Sequence, residues 1–255
     1  MARVIIVTGA GSGIGAATAL RFAAQQDAVV IADIDAHAAQ QTLARTADPR
    51  AHMAVVCDVS SESSVAAMVA AVLARYGRID VLVNNAGILL SKPLHLTSWT
   101  EWQRIINTNL GSIFLCSAAV IPTMLAQKTG AIINLASPHS FATTTNIAAY
   151  AASKGGVVAL TRQMAMDYGR LGIRTNCVVP GAIDTAMLRS DIAHGDGVEA
   201  SLAGWARVQP IGRVGQPDDI AQVICWLASD SAGFVLGAAI HADGGMLAQL
   251  TPPTE

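Results

Sequence analysis

The chain has 255 residues, which suits one α/β domain, and its net charge of −2 with no basic run argues against a nucleic-acid partner. Hydrophobic residues make up 52% and charged residues 13% of it, so little polar surface remains to keep a subunit single, and sister subunits are expected to cover part of the apolar surface. Cys57, Cys116, Cys177 and Cys225 are far apart and form no C-x-x-C pair, which excludes a metal or disulfide framework in favour of buried thiols. A strand starts at Arg3, leaving no room for a signal peptide, and no apolar run approaches the ~20 residues of a bilayer span, so the cytoplasm is the expected compartment.

Apolar strand-like runs at 4–7, 29–32, 53–57, 81–83, 132–135, 177–179 and 238–241 alternate with helical stretches at 14–24, 35–45, 61–75, 98–127, 148–170 and 217–227. Such alternation predicts a doubly wound, mostly parallel seven-stranded sheet with helices on both faces and right-handed crossovers. Ser60 or Ser61 can cap the third helix, and Pro217-Asp218-Asp219 opens the last with proline and two acids. No linker or repeat divides the chain, so residues 1–255 are expected to form a single domain.

The first strand runs into Thr8-Gly9-Ala10-Gly11-Ser12-Gly13-Ile14-Gly15 and then a helix. Bare glycine backbone lets a pyrophosphate approach closely, and the helix N-terminus offers free N–H groups, so Gly9, Ser12, Gly13, Ile14 and Gly15 are candidates for holding a dinucleotide. Asp33 ends the second strand; a carboxylate there can bind ribose hydroxyls and repels a 2′-phosphate. Position 12 is serine, not a cation, so NAD is expected over NADP. Asp58 and Val59 follow the third strand near the adenine edge, and Asn84-Asn85-Ala86-Gly87 follows the fourth, small enough for a cofactor to lie across it.

Ser137 closes the fifth strand, and thirteen residues on comes Tyr150-Ala151-Ala152-Ser153-Lys154 in a helical stretch. Four residues make slightly more than one turn, so Tyr150 and Lys154 share a face. An ammonium beside a phenol favours the phenolate and lowers its pKa from about 10 toward the range useful in acid–base catalysis.

Taken in order and spacing, TGAGSGIG at 8–15, Asp33, Asp58, NNAG at 84–87, Asn109, Ser137, Tyr150 with Lys154, PGAIDT at 180–185 and the closing Asp243-Gly244-Gly245 resemble the short-chain dehydrogenase/reductase family over nearly the whole chain. The resemblance implies a Rossmann-type domain and an NAD-dependent oxidoreductase that interconverts a secondary alcohol and its ketone. It makes Tyr150 the acid/base, Ser137 the hydroxyl that bonds the reacting oxygen, and Lys154 the group that lowers the tyrosine pKa and holds the nicotinamide ribose. Asn109 would hold a water linking Lys154 to solvent, and Pro180, Gly181, Ile183 and Thr185 would meet the nicotinamide end, with Asn85, Ala86 and Gly87 also at the cofactor. It further implies a homotetramer built from the helices at 98–127 and 148–170 and the stretch 234–250. Residues 186–208, with His194 among them, would be a mobile substrate lid. His139, Asn146, Met187 and Trp205 are the candidate substrate contacts, and their mixture with hydroxyls around 139–146 suits a sugar or polyol. A 3-oxoacyl thioester reductase and a non-catalytic NAD-binding regulator are the alternative readings; no metal site is expected.

Overall fold

The computed structural model describes residues 2–192 and 198–250, so His194 lies outside the described residues. The sheet contains β1 (Val4–Thr8), β2 (Ala28–Asp33), β3 (Met53–Val56), β4 (Val81–Asn84), β5 (Gly130–Leu135), β6 (Ile173–Pro180) and β7 (Ala239–Ala242). Every pairing is parallel, in the order β3-β2-β1-β4-β5-β6-β7. The strands are apolar runs without alternation because both faces are covered. Ile5 and Val7 of β1 face one layer, while Val4 and Ile6 face the other.

The first layer holds α1 (Gly13–Ala24), α2 (Ala36–Ala44) and α9 (Pro217–Leu227), whose Phe22, Ala39, Ile220 and Ile224 pack on β1 and β2. The second holds α3 (Glu62–Tyr76), α5 (Ser112–Gln127) and α6 (Ala148–Tyr168), through Val72, Val120, Met124 and Met164. Helix starts follow their sequence signals. Asp35 caps α2, accepting from His37 N at 2.8 Å, and Ser61 caps α3, accepting from Ser64 N at 3.4 Å. Ser60, the other candidate cap, instead donates to Asp58.

Two expectations need correction. The helix expected from 98 to 127 is interrupted: α4 (Trp99–Ile106) passes through a π-helical turn, Asn107–Gly111, before α5 begins. Its cause is visible at Asn109, whose side chain is turned aside to hold the backbone of Ile88. The stretch Trp99–Gln127 also contains a window of mean hydropathy 1.6, long and apolar enough to cross a membrane by length and composition, although polar residues break its apolar runs. Its apolar face, with Ile113, Cys116, Val120 and Met124, is buried in the core. In the stretch expected as the lid, the described residues form α7 (Ala186–Ile192) and α8 (Val198–Val208).

Beneath the carboxyl edge of the sheet lies a buried polar chain. Asn84 and Asn134 face each other across β4 and β5, and Asn84 Nδ2 donates to Asn134 Oδ1 at 2.9 Å and to Ser117 Oγ at 3.3 Å. Asn134 Nδ2 donates to Thr161 Oγ1 at 2.9 Å, and that hydroxyl donates to Val157 O at 2.8 Å. Asn84, expected just after the fourth strand, is thus its last residue and is held inside the core. The chain ties β4, β5, α5 and α6 at one depth. Asn134→Leu should remove two of these bonds, leaving Asn84 only Ser117 and Thr161 only Val157 O, a loss of about 1–3 kcal/mol at 0.5–1.5 per hydrogen bond. Urea denaturation monitored by circular dichroism checks this; an unchanged midpoint would show that the network does not hold these elements.

Candidate active site

The order of the sheet reverses between β1 and β4, and a cavity of about 710 Å³ opens there across the strand ends. At β1 the backbone passes itself too closely for side chains. A Cβ on Gly15 would sit 2.1 Å from Gly9 O, and one on Gly9 would sit 2.9 Å from Ala86 Cα. Asn85 braces this crossing, its Nδ2 donating to Thr8 O at 2.9 Å and Gly9 O at 3.0 Å. Gly9, Ser12, Gly13 and Ile14 line the cavity, as do Ala86 and Gly87, while Gly15 stands behind them. Ser12 caps α1 without spending its hydroxyl on the helix. Bare backbone, a free hydroxyl and a helix N-terminus facing one cavity fit a pyrophosphate.

Asp33 is fixed by two backbone donors, Gly11 N to Oδ2 at 2.8 Å and Asp35 N to Oδ1 at 3.0 Å, and still borders the cavity with lone pairs to spare. Asp58 borders it too; one of its oxygens accepts from Ser60 N and Oγ at 2.9 and 2.7 Å. Val59 is buried in the core beside it.

Farther along the cavity, Ser137 starts a short 3-10 turn, and its Oγ accepts from His139 N at 3.3 Å, so its own hydrogen remains to be donated. Ser140, the second hydroxyl nearby, donates to Lys154 O at 2.8 Å and is thereby tied to α6. Residues 150, 154, 157 and 161 recur at helical spacing, so α6 presents Tyr150 and Lys154 on the side that meets β5. Lys154 is 5% exposed, and its ammonium donates to Leu135 O at 2.7 Å and lies 5.7 Å from the centre of the Tyr150 ring. Burial depresses its pKa from 10.5 to about 8. The Tyr150 phenol goes the other way from the expectation: burial raises its pKa, and the Ser137 hydroxyl pulls it back only in part.

Asn109 is fully buried in the π turn and does not border the cavity. Its Oδ1 accepts from Ile88 N at 2.8 Å, and its Nδ2 donates to Ile88 O at 2.9 Å and Ser153 Oγ at 3.1 Å. It therefore fixes the chain just after Gly87 and joins it to α6. Pro180, Gly181, Ile183 and Thr185 line the cavity after β6, and Thr185 Oγ1 also accepts from Leu188 N at the start of α7.

Of the candidate substrate contacts, His139, Met187 and Trp205 line the cavity. His139 stands edge-on to Tyr150 with ring centres 5.9 Å apart; burial lowers its pKa, and its Nδ1 is buried without a hydrogen-bond partner. Asn146 does not line it. With φ +65 it turns the chain, and its carbonyl accepts from Lys92 N, which leaves its side chain in solvent. From the hydroxyl-rich wall only Thr144 joins His139 at the cavity; Ile88, Leu89, Pro138, Ile147, Leu188 and Met246 give it apolar lining, and Arg104, Thr108 and Asp191 add polar and charged groups. Met246 follows the Asp243-Gly244-Gly245 signal directly, whereas Leu89 carries no signal of its own. Gln209 was also missed, a buried carboxamide whose Oε1 accepts from Ala182 N at 3.0 Å.

A family model described as enoyl-(acyl carrier protein) reductase matches residues 9–247. The chain is 43% identical over 249 residues to cis-4-hydroxycyclohexanecarboxylate dehydrogenase of Sinomonas cyclohexanicum, covering 96% of this chain and 97% of that one. It is 40% identical over 245 residues to the (2S)-[(R)-hydroxy(phenyl)methyl]succinyl-CoA dehydrogenase subunit BbsD of Thauera aromatica, covering 95% and 96%. The crystal structure of levodione reductase matches with a TM-score of 0.92 at 37% identity, over 96% of this chain and 98% of that one. With the parallel sheet, the glycine cradle and the Ser137–Tyr150–Lys154 grouping already in place, these likenesses make the chain a member of the short-chain dehydrogenase/reductase family, a nicotinamide-dependent oxidoreductase acting on hydroxyl and keto groups.

Proposed function

We propose that the protein is an NAD-dependent dehydrogenase of small secondary alcohols that carry a further polar group, and that it works in the cytoplasm as a homotetramer. The observation that carries the reading is the convergence of Ser137, Tyr150 and Lys154 on a cavity whose far end is bounded by Asp33. The lining mixes apolar side chains with His139, Thr144, Arg104, Thr108 and Asp191, which suits a ring or short chain with a second oxygen, diols included. The names of the cyclohexanecarboxylate and levodione enzymes agree with that class. A hydroxyacyl thioester is the second reading, favoured by the succinyl-CoA relative.

The cofactor, when bound, supplies the hydride acceptor. Gly9, Ser12, Gly13 and Ile14, with Gly15 behind them, would hold its pyrophosphate; Asp33, Asp58 and Val59 its adenosine; and Asn85, Ala86, Gly87, Pro180, Gly181, Ile183 and Thr185 the remainder. Ser137 donates its free hydrogen to the reacting oxygen. Tyr150 exchanges the proton with that oxygen: with its pKa raised by burial it is protonated at neutral pH, ready to give the proton to a ketone, and it must lose the proton before it can serve as base for an alcohol. Lys154 supplies the local positive charge that makes this loss affordable, and Asn109 acts by holding Gly87 and Ile88 beside it. α7 and α8 form the lid. Exposed Phe114 on α5 and Met166 on α6, together with Phe234 and Leu250 at the other end of the chain, support two subunit interfaces.

The reading is tested by NADH absorbance with cyclic secondary alcohols, diols, sugars and hydroxyacyl thioesters. Tyr150→Phe should lower turnover of the best substrate by about 10²–10⁴-fold or more while NAD binding survives. Near wild-type turnover would refute the assignment. Cofactor choice is checked separately. kcat/KM should be higher with NAD than NADP, and Asp33→Asn with Ser12→Arg, which removes the repulsion and adds a phosphate partner, should narrow or reverse the gap.

Lys154 gives a pH-dependent expectation with a defined sign. Its folded pKa of about 8 lies below the unfolded value of 10.5, so the folded state binds fewer protons between these values and stability rises with pH across that window. Below pH 8 the buried charge costs about 3 kcal/mol. Lys154→Met should abolish turnover yet melt higher than wild type at pH 7, and its advantage should shrink toward pH 10.5. Thermal melts at several pH values check this; a variant less stable at pH 7 would contradict it.

A further inference from the structure

We propose that Gln209 is a positioning residue that fastens the rear of the lid to the loop receiving the nicotinamide end of the cofactor. The proposal rests on the reading of residues 180–185 as that loop. Gln209 is the first residue after α8, is 3% exposed and does not line the cavity, so any effect on the reaction passes through its partners.

A buried carboxamide is costly unless its acceptor and donors are met. Here they are met by the loop. Oε1 accepts from Ala182 N at 3.0 Å, while Nε2 donates to Arg213 O at 2.8 Å and reaches Ala182 O at 3.4 Å. One side chain therefore engages both polar groups of Ala182, as a neighbouring strand would, two residues beyond the end of β6. The approach leaves no room for error: a Cβ on Gly181 would sit 2.2 Å from Oε1, so only glycine permits it. Ala182 O also accepts from Gly215 N at 2.9 Å, which locks the same peptide from the far side.

The main chain around Gln209 is held as firmly. Gly212 N donates to Gln209 O at 2.8 Å, and Gln249 Nε2 donates to Val208 O at 2.6 Å. At the front of the lid, Thr185 accepts from Leu188 N at 3.4 Å and Asp184 pairs with Arg189. Both ends of the α7–α8 pair are thus tied to the six residues 180–185. A displacement of the rear end moves Ala182, and with it the adjoining backbone of Ile183. An apolar side chain of the same length would fill the space without any of these bonds, so the carboxamide is explained by the link it makes.

The test uses Gln209→Met, which keeps length and most of the volume, and titration calorimetry with NAD and with ADP-ribose, which lacks only the nicotinamide. NAD should bind about tenfold more weakly and ADP-ribose within about twofold of wild type, with KM for NAD raised to match. Equal weakening of both ligands, or of neither, would overturn the proposal. Thr185→Val separates it from the loop reading. If Thr185→Val loses NAD affinity selectively and Gln209→Met does not, the Gln209 role fails and the loop reading stands. If neither variant discriminates, the loop reading itself fails. Should the methionine variant not fold, Gln209→Glu, which keeps the acceptor for Ala182 N, is judged by the same ratio.

Discussion

The contact on which the site depends is the docking of α6 onto β5. Lys154 donates to Leu135 O, and two turns later Thr161 accepts from Asn134. Side chains seven residues apart on a helix stand over one another, and Leu135 follows Asn134 in the strand, so the two contacts fix both the height and the rotation of α6 against the sheet. Everything chemical in this region inherits its position from that pair. Tyr150 sits one turn before Lys154, and Ser137 lies two residues beyond Leu135. A helix shifted by one residue would carry Tyr150 about 100° around its axis and away from Ser137.

The parallel sheet supplies the rest, because it brings the carboxyl ends of all its strands to one edge. Thr8, Asp33, Asn84, Leu135 and Pro180 each end a strand there, and each is followed by a loop that borders the cavity. Side chains from sequence positions more than a hundred residues apart therefore meet without any long excursion of the chain. The loops hold one another as well as the sheet. Asn85 bonds the glycine turn, Asn109 bonds Ile88, and Gln209 bonds Ala182. In each case a carboxamide bonds backbone at or just beyond a strand end or in a neighbouring loop, where ladder pairing runs out.

Much of this was legible in the sequence because spacing along regular elements is informative. The strand runs, the glycine turn, Asp33 at a strand end and the four-residue step from Tyr150 to Lys154 all follow from periodicity. What escaped depends on contacts between distant residues. Nothing local marks Asn84 as a core residue, because its partner Asn134 lies fifty positions away. The π turn at Asn107–Gly111 follows from the bond between Asn109 and Ile88, which no helical pattern records. α7 and α8 were hidden by their mixture of apolar and charged residues. The direction of the tyrosine shift escaped because spacing shows the neighbouring lysine but not the burial of the phenol, which raises its pKa.

Burial explains why the site is made of residues that stability alone would not select. Lys154 is an ammonium inside the protein with a carbonyl for its bonded partner, and His139 carries a buried nitrogen with none. Both sit on the cavity beside Tyr150, where the same low polarity that penalises them strengthens any interaction with a reacting oxygen. The supporting shell runs the opposite way. Asn84, Asn109, Asn134 and Gln209 are buried and bonded, and hold the backbone on which the strained groups stand. A molecule that satisfied the first set internally would be more stable and would have no charge or hydrogen left to offer a substrate. The division between paired carboxamides beneath and buried titratable groups with donors to spare above is therefore the physical form that the activity takes in this fold.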